Sequence, residues 1–314
     1  MVRAKKNAKE DPSFRTLKAD YYPVQRTINL GSAPSGTTTN QVLDVARCLS
    51  VVNHRLYRQG KTYQVKIDID NRPNTSQPGM ASVDVYALMD TWFIQKAWQL
   101  ARATYLRSTA DERQSMSSQK IARWEDFRVS AGVASPSTII YPYTYTGGAS
   151  LGVTDTDGEF ELSEITLADG TTQRTFTWGA TSGGSLGMLE EYDKTGDTDL
   201  APSTASASNA YAGTDPGVHE SQMDDLFGKG NAPPYNAGNF SARVWVKVAT
   251  LDNSGSSSPS VANGSSRMTT GYFNAPCGLV VIRPSVPDTA INGDLTLTVK
   301  AGKYKGVAAM NMGA

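Results

Sequence analysis

The sequence predicts a mainly β fold carrying one or two inserted helices and a long loop-rich insertion. Three observations lead there. Most apolar segments alternate with polar residues at a period of two, one stretch switches to the helical period, and a run rich in Gly, Ser, Thr and Asp separates two strand-rich blocks. A chain of 314 residues is long enough to bury a large core, as one big β domain or two smaller ones.

The first 20 or so residues are polar, lack apolar periodicity and read as a mobile basic arm holding Arg3, Lys5, Lys6, Lys9, Arg15 and Lys18. Strand signals follow. VQRTINL alternates, NQVLDVARCLSVV alternates with a buried end, and KTYQVKIDID sets Tyr63, Val65, Ile67 and Ile69 against Lys and Asp. ASVDVYALM sets Val83 and Val85 against Asp84 and Tyr86, after a Pro- and Gly-bearing loop, NRPNTSQPGM. The period then changes in MDTWFIQKAWQLARATYLR. Phe93, Ala97, Leu100 and Ala101 share one helical face, which Trp92, Ile94 and Trp98 widen, and packing is the expected role of these tryptophans. A second helix is expected through TADERQSMSSQKIARW, opened by Ser108 or Thr109 with Asp111 and Glu112 in its first turn.

From about residue 146 to 238 the chain has one clear strand pair, GEFELSEITL and TQRTFTW, joined by the hairpin signal ADGT. Regular strands return in SARVWVKVATL, RMTTGYFN, CGLVVIR and DLTLTVKAG. A loop-rich stretch of this length is characteristically functional and displayed at the surface. The chain's ending, GVAAMNMGA, is apolar and expected to dock on a neighbouring subunit, because left in water it would fray or stick.

Net charge is zero but unevenly spread. Residues 1–75 carry 13 Lys or Arg against 6 Asp or Glu, whereas residues 151–225 hold 15 acidic groups and only Arg174 and Lys194. Such polarity suits one surface to a polyanion. No apolar run reaches the length of a membrane span, and MVRAKKNAKEDPSFR has no hydrophobic segment behind it, which predicts synthesis in the cell interior without membrane anchoring. Cys48 and Cys277 match no metal-ligand spacing and are expected to be small buried apolar groups.

Residues 153–164, VTDTDGEFELSE, fit much of a calcium loop. Asp155, Asp157, Gly158 and Glu164 fall at positions 3, 5, 6 and 12, while Val153 fails position 1. An EF-hand needs a helix on each side, and neither flank is helical in pattern. A turn at Asp157 and Gly158 leading into a solvent-facing strand is the simpler reading. Asp155, Asp157 and Glu164 remain candidate ligands for a divalent cation such as calcium, and no other cofactor is indicated. Catalytic signals are sparse. His54 and His219 lack zinc-type partners, and there is no Gly-x-Ser-x-Gly elbow, P-loop or dinucleotide fingerprint. A glycosidase would need only two carboxylates, but the pattern names no pair. The chain is therefore expected not to be an enzyme.

Binding is better supported. RLYRQGKTYQVK interleaves Arg55, Arg58, Lys61 and Lys66 with Tyr57 and Tyr63, so basic groups could neutralise phosphates while rings stack on unpaired bases. The alternative is an alternating strand whose tyrosines are half buried and whose lysines are merely solvated.

A short basic arm, a strand-rich body with helices inserted after the early strands, and long Gly/Ser/Thr-rich loops together resemble the single jelly-roll coat proteins of small icosahedral viruses. The likeness is greatest to those of small circular single-stranded DNA viruses. It implies an antiparallel β-sandwich, the viral jelly roll, formed by residues 21–145 and 239–314. The arm at 1–20 would face inward and the acidic insertion at 146–238 outward. The partners implied are other copies of the chain, a viral genome of DNA or RNA and a host receptor; the location implied is the virion. The arm holds Asp11 and Glu10 beside its six basic residues, so Arg55, Arg58 and Lys61 are expected to share genome contact. A carbohydrate-binding or adhesin-type sandwich is the alternative, with aromatic loops such as IIYPYTYTGG and NAPPYNAGNF.

Overall fold

The computed structural model describes residues 23–32, 40–71, 82–110, 114, 124–133, 137–142, 144–146, 149–151, 161–167, 171–196, 244–252, 266–284 and 293–313. In chain order the first elements are β1 (Thr27–Ser32), β2 (Asn40–Asp44), α1 (Val45–Asn53), β3 (Lys61–Asn71), β4 (Ser82–Leu88) and α2 (Trp92–Ser108). Short pieces follow: β5 (Ser137–Ile139), β6 (Thr144–Thr146), β7 (Ala149–Leu151), β8 (Glu164–Thr166), β9 (Gln173–Thr177), β10 (Ser185–Gly187) and α3 (Met188–Gly196). The last group is β11 (Trp245–Asp252), β12 (Ser266–Thr269), β13 (Phe273–Ala275), β14 (Leu279–Pro284), β15 (Gly293–Val299), β16 (Ala301–Gly302), β17 (Gly306–Val307) and β18 (Ala309–Asn311).

Alternation decides the arrangement. Tyr63, Val65, Ile67 and Ile69 of β3, Val83 and Val85 of β4, Val280 and Ile282 of β14, and Leu295 and Leu297 of β15 are all fully or almost fully buried in one cluster. These residues belong to two sheets. One runs β1-β15-β3-β12, the other β11-β4-β14-β2-β5. Every pair in them is antiparallel except β2 with β5. The protein is thus mainly β with few helices among the described residues, consistent with the expected sandwich.

Two strands of the first sheet are interrupted. β12 and β13 both lie along β3, separated by a break at Thr270–Tyr272 where Gly271 takes φ 70. On the opposite side, β15 pairs with β3 as far as Val65, and β18 resumes the ladder at Tyr63. Between them the chain makes a closed excursion. The Gln64 N–H donates to the Ala308 carbonyl at 3.1 Å, and the Lys300 and Ala308 N–H groups donate to the Gln64 and Lys300 carbonyls at 3.0 and 2.7 Å.

A second apolar cluster joins α2 to the small sheet β10-β9-β8 and to α3. Ile94, Ala97, Trp98 and Ala101 meet Phe127, Phe176, Trp178, Met188 and Leu189, with Leu88, Cys277 and Leu279 from the larger body. The stretch expected to hold one strand pair therefore also contains β10 and α3, anchored by its scattered large apolar residues. Both cysteines are free and buried as expected, and burial pushes their thiols well above the ordinary range.

Three expectations change. NQVLDVARCLSVV is not strand throughout: Asp44 accepts the Arg47 N–H at 3.0 Å and caps a helix from Val45 onward, so His54 ends a helix rather than a strand. Trp92 does not pack: it stands at the first position of α2 and is 70% exposed. The C-terminus docks on its own chain rather than requiring a neighbour, because Met312 is buried beside Thr62 and the Gln99 side chain donates to the Gly313 carbonyl at 2.6 Å. The second expected helix falls mostly outside the described residues. Met312→Ala is expected to cost about 2 kcal/mol, the lower range for emptying a buried Met site; urea unfolding unchanged by the substitution would show that the tail's docking carries no stability.

Candidate nucleic-acid interface

The helix α1 turns into the 54–60 loop through His54, whose left-handed φ of 48 lets its N–H reach the Ser50 carbonyl. Ser50 then holds the loop's return, its hydroxyl accepting from the Tyr57 N–H at 2.8 Å. Three tyrosine hydroxyls fix the rest. Tyr57 donates to the Lys305 carbonyl at 2.9 Å, Tyr63 donates to the Arg58 carbonyl at 2.7 Å, and Tyr304 accepts from the Arg58 N–H at 3.2 Å. The rings meet edge to face, Tyr304 lying 6.0 Å from Tyr57 and 6.4 Å from Tyr63.

Tyr57 and Tyr63 are wholly buried. They cannot stack on bases, which corrects that part of the expectation and leaves them as a scaffold for cations. Arg55 and Arg58 are exposed and Lys61 half-buried around that scaffold. Lys61 Nζ sits 4.0 Å over the Tyr304 ring and donates to Asn311 Oδ1. Lys66, read in the same segment, lies further along β3 and pairs with the buried Asp68 at 2.8 Å.

A fourth cation arrives from the other end of the chain. Residues 300–308, the excursion between β15 and β18, form a tight hairpin in which Tyr304 and Val307 exchange both backbone hydrogen bonds across Lys305 and Gly306. Both turn residues have positive φ, 50 and 89, as a type I′ turn requires. Asn is the favoured first residue there, and a lysine in that conformation costs roughly 1 kcal/mol. It places Lys305 Nζ within 5.8 Å of the Tyr57 ring and 5.5 Å of the Tyr304 ring, donating to the Leu56 carbonyl. Burial, then Arg55, Arg58 and Lys61, push the Lys305 amine below its ordinary range; burial and Arg58 do the same to Lys61. Like charges are therefore crowded together, and the Asp126 carboxyl that opposes them is itself pushed up by burial.

Beneath the loop, Gln59 fastens it to the 126–129 segment. Its N–H donates to Asp126 at 2.7 Å, its side-chain oxygen accepts from the Val129 N–H at 2.7 Å, and its amide donates to Asp44 Oδ2 at 3.3 Å. Arg128 reaches the same Asp44 oxygen at 3.0 Å. The cluster is thus a rigid display of positive charge, suited to oxyanions.

Sequence reasoning named Arg55, Arg58 and Lys61, which the structure brings together, and missed Lys305 and Tyr304. The signal existed in VKAGKYKGV, which interleaves lysine with tyrosine as RLYRQGK does. Arg3, Lys5, Lys6, Lys9, Arg15 and Lys18 lie outside the described residues, as do Asp155 and Asp157. Glu164 is exposed at the start of β8, and among the described residues no group of three or more His, Cys, Asp or Glu could hold a metal. Nor is any described helix long and apolar enough to cross a membrane. No protein-family model, no curated protein and no solved structure matches this chain.

Proposed function

We propose that the chain is a single jelly-roll shell protein that assembles with its own copies into a closed icosahedral capsid around a nucleic-acid genome. The observation that carries the reading is the pairing scheme. Let β1, β2, β3, β4, β11, β12 with β13, β14 and β15 be strands one to eight. One then pairs with eight, two with seven, three with six and four with five. Contacts of three with eight and four with seven complete the two sheets. A single long hairpin wound around a common core has this order, which supports a jelly roll over other sandwiches. The same scheme accounts for the insertion. Residues 89–244 join strand four to strand five, the closed end of that hairpin, where added chain interrupts no ladder.

Jelly rolls build viral capsids and lectins alike, so fold alone does not choose between a shell and a carbohydrate binder. Charge favours the shell. A basic arm and a rigid basic cluster suit phosphate on one surface, while the acidic 146–238 stretch suits the exterior of a particle. In this reading the arm at residues 1–20 faces the genome with Arg55, Arg58 and Lys61, and the protein's place is the virion. Sedimentation velocity of the purified protein over a range of salt and calcium provides the test. A narrow, fast boundary absorbing strongly at 260 nm is expected. A slow boundary of monomers or dimers under every condition would instead favour the carbohydrate-binding sandwich.

A further inference from the structure

We propose that Arg58, Lys61 and Lys305 form a phosphate site whose occupancy clamps the C-terminal hairpin onto the 54–60 loop. The inference rests on the nucleic-acid reading of the same cluster and adds to it a ligand group and a consequence. The site joins two segments that lie 246 residues apart, as the bond from the Arg58 N–H to the Tyr304 hydroxyl shows. Its cations stand around one ring, with Lys61 at 4.0 Å and Lys305 at 5.5 Å from the Tyr304 centroid. Neither amine reaches a carboxylate by an ion pair among the described residues; their hydrogen-bond partners are the Asn311 side chain and the Leu56 carbonyl. Each keeps donors to spare, because an ammonium carries three.

The hairpin turn supports a ligand role. Lys305 occupies a left-handed position that Asn or Gly would take at lower cost, and there it faces other cations. A residue that breaks both the turn rule and the charge rule at one point marks a site fitted to something else. A phosphate bridging Arg58, Lys61 and Lys305 satisfies all three by charge-assisted hydrogen bonds and cancels their repulsion. The consequence travels along the chain. Just past the excursion, β18 carries Asn311, which accepts from Lys61, and Met312 follows it, its N–H donating to the Gly60 carbonyl at 3.2 Å. Filling the site therefore tightens the docking of the C-terminal strand and Met312 beside α2.

The test uses the full chain, kept unassembled, with inorganic tripolyphosphate titrated at constant ionic strength. Expected results are a saturable rise in melting temperature, slower hydrogen exchange at residues 309–313, and roughly tenfold weaker binding in both Lys305→Gln and Arg58→Gln. Arg107→Gln and Arg283→Gln, exposed on α2 and β14 and outside the cluster, should bind tripolyphosphate as the parent does. Should Lys305→Gln fail to fold, its circular dichroism would show it and Arg58→Gln, at an exposed side chain, carries the comparison. Stabilisation that survives both site substitutions, or that disappears with the Arg107 and Arg283 substitutions alone, overturns the proposal. Failure of the shell reading shows separately, since a chain that never assembles still binds tripolyphosphate here if the site is real.

Discussion

Replacing Asp44 with alanine is expected to cost about 3–5 kcal/mol, the range for removing one partner of a buried ion pair. The carboxylate does three jobs at once. Oδ1 accepts the Arg47 N–H at 3.0 Å and caps α1, while Oδ2 takes Arg128 at 3.0 Å and the Gln59 amide at 3.3 Å. Loss of the cap alone accounts for about 1 kcal/mol. The larger part comes from the Arg128 guanidinium, buried and facing a carboxylate that is gone. Asp44→Asn can keep one oxygen for the cap but sets an NH2 donor where Oδ2 accepted from Gln59 and Arg128, so it should recover no more than the roughly 1 kcal/mol of the cap. Because Gln59 anchors the 54–60 loop, Asp44→Ala should also weaken tripolyphosphate binding. Urea unfolding that puts Asp44→Ala within about 1 kcal/mol of the parent would show that the pair is solvated and the loop held by other means.

Gly132→Ala is the second large effect, roughly 2–4 kcal/mol from left-handed backbone strain and overpacking combined. Gly132 has φ 62, and a Cβ there would lie 1.9 Å from the Gly179 nitrogen and 2.7 Å from Thr177 Oγ1. Backbone cannot swing aside as a side chain can. The neighbouring ladder holds it: the Ser130 N–H donates to the Phe176 carbonyl at 2.9 Å, and the Trp178 N–H donates to the Ser130 carbonyl at 3.0 Å. Gly183→Ala is the matched control. No atom approaches a Cβ there within 4 Å, so it should move stability by no more than about 0.5 kcal/mol. Equal effects at the two glycines would mean that the 130–133 segment does not pack against β9.

What the sequence made legible follows from how local each signal is. β3 alternates because one of its faces meets the core, and Tyr63, Val65, Ile67 and Ile69 are buried as their spacing requires. α1 was obscured by β-branched residues: Val45, Val51 and Val52 favour strand on propensity, yet the Asp44 cap and the Val45, Cys48, Leu49, Val52 spacing fit a helix. Trp92 shares the apolar face of α2 by spacing, but the face runs past the end of the core at the first turn, where the ring touches only Phe93 edge to face at 5.9 Å among the ring contacts described. The docking of the tail and the meeting of Lys305 with Arg58 depend on where β3 ends, and no local pattern in either segment encodes that. The pairing of strands one to eight is non-local in the same sense.

Electron microscopy of the purified full chain tests the central proposal most directly. Closed particles of uniform diameter, whose absorbance ratio at 260 and 280 nm falls when the arm or the Arg58–Lys305 cluster is neutralised, are the predicted result. A field of small, unassembled molecules with a protein-only spectrum, unchanged by salt, pH or calcium, would contradict it.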